Sequence, residues 1–326
     1  MLEISALTSM LRSPSGTGRL HLAAMLALAA WLPAAQAATT APVAGEIQRI
    51  AINDSADHWS GGTIQVGGQK VIIPRNLLID LPANRVTLKQ LYDEAPVTCV
   101  AAAETGLAKA DRCNRSGMGA IATISANRVN GNLIAGDVLI SKGVETVTGE
   151  ITYINYDDGY FRVNGNSNDP DTGVMVRLND PDGRHTVQKG LGCGGGPNCS
   201  ADPRFTLDPD NYTNTFSSGY PLCIPSTVAR TVPAPGLPTG LNGPPAVPAG
   251  TVAQAVHNGS GDVLCPQTNR GTTPVDDSRR FAPIQVGDSI TAEGNFETVN
   301  GTQFLSAHTT MVLGALQTKA DADQPD

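Results

Sequence analysis

Short runs in which apolar and polar residues alternate, each bounded by Gly or Asn, constrain the fold of this chain more than any other feature. Residues 46–52 (EIQRIAI) alternate in this way, and residues 62–74 (GTIQVGGQKVIIP) do so around Gly67-Gly68. A period of two is the pattern of a β-strand with one buried face, and Gly pairs or Asn-Gly mark tight turns. Asn300-Gly301, between residues 286–296 and 303–312, is a strong hairpin signal. The pattern predicts an all-β chain with few short helices.

Charge and composition exclude several other classes of protein. Only 16% of the residues are charged, against an average of about 25%, so long ion-paired helices are not expected. A helix is predicted only at residues 87–94, where Thr87 can cap it and Pro96 ends it. The 22 basic and 30 acidic residues give a net charge of −8, the wrong sign for holding phosphate backbones, so no nucleic-acid partner is predicted.

Pattern and composition divide the chain into five segments. Residues 1–37 are a leader, 38–115 a first β cluster and 116–227 a second β cluster with a Cys-rich loop. Residues 228–252 are rich in Pro and form an excursion or a linker. Residues 253–326 hold a third β cluster that packs on the earlier ones, followed by a disordered C-terminal tail.

Repeated strings within these clusters favour small barrels. Gly45-Glu46-Ile47 and Gly149-Glu150-Ile151 are alike, as are Gly136-Asp137 and Gly287-Asp288, each pair opening a run with strand character. In five-stranded Greek-key barrels of the OB type, glycines let short strands curl and close. The strings predict two OB-like barrels with long disulfide-stapled loops, and the alternative is an irregular sandwich with generic turns.

The leader has the form of a secretory signal. Arg12 and Arg19 precede an apolar stretch at residues 20–32, and Ala35-Gln36-Ala37 fits a signal-peptidase site. The apolar stretch has about 13 residues, whereas a bilayer span needs about 20. Export to a periplasm or to the extracellular space is therefore predicted, with no membrane span.

All six cysteines follow the leader, and an even number in an exported chain favours disulfides. Short spacing favours Cys99 with Cys113 and Cys193 with Cys199, which leaves Cys223 with Cys265. Fifteen pairings are formally open. A zinc site is the alternative, but close Cys-x-x-Cys pairs are absent from the sequence.

Acidic turns are candidates for calcium, which takes six to eight oxygen ligands. The same Asp-rich strings also suit plain turns, and none fits an EF-hand loop. No other cofactor is predicted. The candidate ligands are Asp157, Asp158, Asp169, Asp171, Asp180, Asp182, Asp208 and Asp210.

Aromatic residues make up only 4% of the chain, which limits carbohydrate stacking to one small platform. The candidates for this ligand platform are Trp59, Tyr156, Tyr160 and Phe161. The alternative is that these rings fill the core.

No string typical of a zinc hydrolase, a haem protein or an α/β-hydrolase occurs, so the sequence predicts no catalytic residues. A site assembled from the distant residues Ser306, His308 and Asp288 is the alternative, and it would make the protein an exported hydrolase.

Five strings carry a resemblance to other proteins: DPRFTLD at 202–208, GYPLCIP at 219–225, LCPQTNR at 264–270, VGDSI at 286–290 and SAHT at 306–309. With them, residues 45–312 resemble a group of secreted bacterial and fungal β-rich proteins to which no activity is assigned. The resemblance implies that the Cys223 and Cys265 segments belong to the framework.

The function predicted from these observations is that of an exported, non-catalytic binding module or cell-surface assembly module. Its expected partners are a small ligand, another surface protein or further copies of itself. The second alternative, besides the hydrolase, is a subunit of an extracellular filament.

Overall fold

The computed structural model describes residues 39–82, 84–114, 117–142, 145–181, 183–194, 198–206, 213–229, 250, 262, 264–270 and 281–314. The predicted leader, most of the predicted Pro-rich segment 228–252 and the C-terminal residues 315–326, where a tail is predicted, lie outside these residues. The strands are β1 (Thr39–Thr40), β2 (Val43–Ile52), β3 (Gly62–Val66), β4 (Gln69–Ile73), β5 (Leu78–Asp80), β6 (Arg85–Thr87), β7 (Ile121–Val129), β8 (Asn132–Ser141), β9 (Glu145–Asn155), β10 (Tyr160–Val163), β11 (Val174–Leu178), β12 (Asn214–Phe216), β13 (Leu222–Cys223), β14 (Ala282–Pro283), β15 (Ser289–Val299) and β16 (Thr302–Val312).

Two short α-helices accompany these strands, α1 (Leu88–Asp93) and α2 (Val97–Ala101). Thr87 caps α1 with its side chain, and Gln90 returns a bond to the Thr87 backbone N–H. This reciprocal pair is a capping box, and it begins α1 where the sequence predicts the helix. Two 3-10 turns, Pro203–Phe205 and Gln267–Arg270, complete the helical elements among the described residues.

The first barrel is a closed sheet of β2, β3, β4, β8 and β7. Its neighbours are antiparallel except β4 and β8, which pair in parallel at Val71↔Leu133 and Ile72↔Ile134. β7 pairs with both β8 and β2, which closes the barrel. The inward residues of these strands form one continuous core.

The second barrel repeats this topology with β9, β10, β11, β16 and β15. Its parallel pair is β11 with β16, at Val176↔Leu305 and Arg177↔Ser306. The protein therefore contains two closed five-stranded barrels of the small OB-like kind that the sequence predicts. β12 adds to β16 at one edge, and β13 pairs with β14.

Sheet membership differs from the predicted clusters at one boundary. β7 and β8 were assigned by the sequence to the second cluster, 116–227, but they complete the first barrel. The third cluster supplies β15 and β16, which close the second barrel. Local alternation of apolar and polar residues reveals each strand but not the strand with which it pairs. The pairing of β4 with β8 joins residues about 60 positions apart in the sequence, so local alternation does not predict it.

The repeated strings map unevenly onto this topology. Gly45 and Gly149 lie in β2 and β9, the first strands of their barrels, and both have positive φ, 148° and 159°. Gly136-Asp137 lies in β8, which is the fifth strand of the first barrel, whereas Gly287-Asp288 precedes β15, which is the fourth strand of the second barrel. The Gly-Glu-Ile strings therefore mark equivalent positions in the two barrels, and the Gly-Asp strings mark only similar turns.

The segment between β11 and β12 reaches back to the first barrel. Phe205 is buried in the first barrel's core, and Arg204 donates to the Leu91 carbonyl of α1 at 2.6 Å. Arg204 also forms a buried ion pair with Asp202 at 2.7 Å, and Lys142 approaches Asp202 at 3.1 Å. Burial by itself raises the pKa of Asp202, but the two cations lower it overall, so the carboxylate stays charged.

The structure contains the three disulfides Cys99–Cys113, Cys193–Cys199 and Cys223–Cys265, which are the pairs that the spacing favours. Three disulfides are typical of a protein that matures in an oxidising environment outside the cytosol. Among the described residues, no helix has both the length and the apolar character that crossing a membrane requires.

Candidate functional site

An open groove of about 620 Å³ crosses the outer face of β3 and β4 and reaches the β7–β8 turn. The floor of the groove consists of the side chains that point outward from β3 and β4. In β3, Ile64 points into the core and Thr63 points out; in β4, Val71 points in and Lys70 and Ile72 point out. Thr63 lies opposite Ile72 in the ladder, so these outward side chains form a single surface.

Polar groups dominate the lining. The lining includes the amides Asn53, Gln69 and Asn132, the hydroxyl of Thr63 and the cations Lys70 and Arg128. Amides and hydroxyls both donate and accept hydrogen bonds, and ammonium and guanidinium groups only donate. This set suits a ligand that carries hydroxyl groups together with an anionic group.

Tight turns bring these side chains together. Gly67-Gly68 joins β3 to β4 with φ values of 55° and 77°, and Asn130-Gly131 joins β7 to β8 with 50° and 82°. Two positive φ values in succession are the requirement of a type I′ hairpin turn. The second turn carries Arg128 and Asn132 on its two strand ends and places both at the groove.

The groove is positively charged, whereas the chain as a whole is negatively charged. Lys70 and Arg128 are exposed and form no ion pair with the residues that the structure describes. No carboxylate is among the described lining residues. Arg49 lies exposed in β2 across from Gln65, which is itself opposite Lys70. In a chain of net charge −8, this face is a local positive patch that favours anions.

Apolar contact in the groove is limited to a narrow strip formed by Ile72 and Leu133, and no aromatic ring is among the described lining residues. The strip can accept the apolar face of a ring or a chain. The groove offers no stacking platform of the kind that single-stranded nucleic acids use.

The predicted calcium ligands are distributed over separate turns. Asp180 accepts the backbone N–H groups of Arg184, His185 and Thr186 at 2.7–3.2 Å. Asp158 accepts that of Leu191 at 3.0 Å.

Asp157 accepts a hydrogen bond from the Thr227 hydroxyl, and Asp169 accepts the backbone N–H of Asp171, a further candidate, at 3.0 Å. In the described part of the chain, no three His, Cys, Asp or Glu side chains form a group suited to a metal ion. Asp182, Asp208 and Asp210 lie outside that part.

The predicted aromatic platform does not exist as a surface. Phe161 is completely buried in the second barrel's core, and Tyr160 is 3% exposed. Tyr156 is half-buried against the same core. Trp59 is exposed, but it lies on the β2–β3 connection of the first barrel. Packing of the second barrel buries Tyr160 and Phe161, two of the four rings that the sequence offered as a ligand face.

The alternative hydrolase site is not assembled either. Ser306 lies in β16 opposite Asn295, in the middle of the β15–β16 ladder, and His308 follows two residues later, whereas Asp288 precedes β15 at one end of that ladder. At about 3.3 Å per residue, this separates Asp288 from Ser306 by about 20 Å. Asp288 instead pairs with Arg270 at 2.8 Å, and burial lowers the pKa of His308 to about 4.

Sequence reasoning missed the groove residues Lys70, Arg128 and Asn132. One signal for Lys70 was present, because alternation in residues 62–74 places Lys70 on the polar face with Thr63. Nothing in the sequence shows that residues 128–132 join that face, because this depends on the β4–β8 pairing.

Comparison of the chain with protein-family models, with characterised proteins and with solved structures finds no match.

Proposed function

We propose that this protein is an exported, non-catalytic binding module that holds a carboxylate-bearing, hydroxyl-rich ligand, an acidic oligosaccharide, in the groove of its first barrel. The observation that carries the proposal is the pair of unpaired cations, Lys70 and Arg128, set among amides in a lining without a described carboxylate. A charged donor binds a carboxylate about twice as strongly as a neutral donor binds a neutral acceptor.

The position of the groove supports this choice. Barrels of the OB type bind oligosaccharides and oligonucleotides across the second and third strands, between the loops that follow the first and fourth strands. β3 and β4 are those strands here, Asn53 begins the first loop, and Gly131 lies in the second.

Two observations favour an oligosaccharide over an oligonucleotide. The chain has a net charge of −8, which opposes a polyphosphate at long range. The lining also lacks a described aromatic ring, on which unpaired bases would stack. Uronic acid residues need only scattered cations and hydrogen-bonding amides, and the groove supplies both.

Export supports an extracellular or periplasmic ligand. The leader has the form of a secretory signal, and three disulfides need an oxidising compartment to form. Acidic polysaccharides of cell surfaces occur in those compartments.

Isothermal titration calorimetry with oligogalacturonate tests the proposal on the exported protein. Lys70→Gln and Arg128→Gln should each weaken binding about tenfold, since each removes one charge-assisted hydrogen bond. Lys89→Gln is the matched control, because Lys89 lies in α1 and pairs with Asp93. The neutral oligosaccharide of equal length should bind at least tenfold more weakly.

Absence of binding, or equal affinity in wild type and both groove variants, would refute the proposal. Tighter binding of single-stranded oligonucleotide than of oligogalacturonate would refute the ligand class.

A further inference from the structure

The outer face of β10, β11 and β16 in the second barrel is the topological counterpart of the groove. The parallel pair Val71↔Leu133 of the first barrel corresponds to Val176↔Leu305 of the second. By the same register, the outward pair Ile72↔Ile134 corresponds to Arg177↔Ser306. The second barrel therefore presents Arg177 where the first presents a groove-lining residue.

This counterpart face is covered by the protein's own chain. Residues 188–194, here called the strap, run across it without belonging to any strand. Cys193 and Cys199 pack against Tyr160, Met175 and Phe304 on the face. The strap is held by side-chain contacts and not by the hydrogen bonds of a sheet. It therefore lies on the face in the way that a bound ligand would.

Arg177 is a buried cation whose bonding partners belong to the main chain. Its side chain is 1% exposed and donates to the carbonyls of Asp158 at 2.9 Å, Lys189 at 2.7 Å and Leu191. Among the described residues it has no ion pair with a carboxylate. Two of the three carbonyls come from the strap, and their oxygens lie where those of a bound anion would lie.

Ser306 supplies a second, independent observation. Its hydroxyl oxygen is buried and has no hydrogen-bond partner among the described residues. Because Ser306 is the ladder partner of Arg177, both side chains leave the sheet on the same side. A buried hydroxyl without a partner is unfavourable and calls for an explanation.

An aromatic surface accompanies these polar groups. The Tyr160 ring lies 5.3 Å from the Arg177 guanidinium, measured to the ring centroid, and Arg162 lies 5.9 Å from the same ring. Two guanidinium groups, a hydroxyl and a ring together match a carboxylate attached to a sugar ring.

We propose that this face is a second binding site for a carboxylate-bearing sugar, and that the strap is an internal occupant which must leave before the ligand binds. Gly190 and Gly192 let the strap approach closely, since a Cβ on Gly190 would lie 1.9 Å from the Asp158 carboxylate. The Cys193–Cys199 disulfide limits the conformations of the detached strap and so favours the seated one. The inference rests on the proposed function only for the choice of probe.

The test uses the exported protein with Lys70→Gln and Arg128→Gln together, which should weaken binding at the groove about a hundredfold. Adding Cys193→Ser and Cys199→Ser should raise amide exchange in residues 188–194 at least tenfold. It should also create binding of oligogalacturonate that the parent variant lacks. Ser306→Ala and Arg177→Lys should each weaken this new binding about tenfold. Cys99→Ser with Cys113→Ser, which opens a disulfide of the first barrel, is the matched control and should create no binding.

A second probe separates this inference from the proposed function. Inorganic sulfate carries the anion without the sugar, and its binding to the opened variant, weakened by Arg177→Lys, would support the site even if oligogalacturonate binds neither barrel. If amide exchange in the strap is unchanged after Cys193→Ser and Cys199→Ser, the disulfide does not hold the strap on the face, and that part of the proposal is refuted. Faster exchange without binding of either probe would refute the site.

Discussion

The two barrels share one topology but treat the same face in opposite ways. In the first barrel the outer face of β3 and β4 is an open groove with unpaired Lys70 and Arg128. In the second the equivalent face buries Arg177 under the strap. A cation on the open face is solvated and free to meet a ligand. A cation on the covered face has lost its water and depends on the carbonyls that replaced it, so it stabilises the fold for as long as the strap covers it.

The largest expected difference between the faces is in the free energy of unfolding. Arg177→Met buries no charge but leaves the carbonyls of Asp158, Lys189 and Leu191 without their charged donor, and we expect it to lower this free energy by about 3 kcal/mol. Lys70→Met on the open face should have no measurable effect, because an exposed side chain without partners contributes little. Urea denaturation of both variants makes the comparison, and similar midpoints would show that the strap does not depend on Arg177.

The next effect concerns pH. Burial lowers the pKa of His308, in β16 of the second barrel, to about 4 from its ordinary 6.5. The unfolded chain therefore binds a proton between pH 6.5 and pH 4 that the folded chain does not. Stability attributable to His308 is full above pH 6.5 and is lost as the pH falls through 4, by about 2–3 kcal/mol.

Unfolding free energies measured between pH 7 and pH 4 check this expectation. His308→Gln should flatten the dependence by that amount. His58→Gln, which changes an exposed side chain on the first barrel, is the control and should leave the curve unchanged. A His308→Gln curve parallel to wild type would contradict the assignment.

The smallest expected effect compares two glycines with similar backbone. Gly190 in the strap and Gly131 at the groove have φ values of 72° and 82°. Both φ values lie in the left-handed region, where the strain on an Ala residue costs about 1 kcal/mol of folding free energy. A Cβ at Gly190 also meets the Asp158 carboxylate, whereas nothing lies within 4 Å of one at Gly131.

We therefore expect Gly190→Ala to cost about 2 kcal/mol and Gly131→Ala about 1 kcal/mol. Thermal unfolding of the two variants measures the difference. Equal losses would mean that the strap does not press on the face in solution.

Several of the features that the sequence predicted correctly are local. The helix at Leu88–Asp93, the Gly67-Gly68 hairpin and the two short-range disulfides each depend on residues within about 15 positions of one another. The aromatic platform is the contrasting case. Tyr160 and Phe161 are neighbours in β10 and therefore point to opposite faces of the strand, and only the closed barrel and the covering segment bury both rings.

The alternation of apolar and polar residues, the turn dipeptides and the spacing of the cysteines determined by themselves that this chain forms short strands, hairpins and disulfide-closed loops. Only the tertiary structure decided which strands pair at a distance, β4 with β8 and β11 with β16. Those parallel pairings bring Lys70 to Arg128 and Arg177 to Ser306, and they place one face in solvent and the other under the strap. Strand periodicity is a property of neighbouring residues, whereas barrel closure and the covering of a face depend on contacts between segments far apart in the chain.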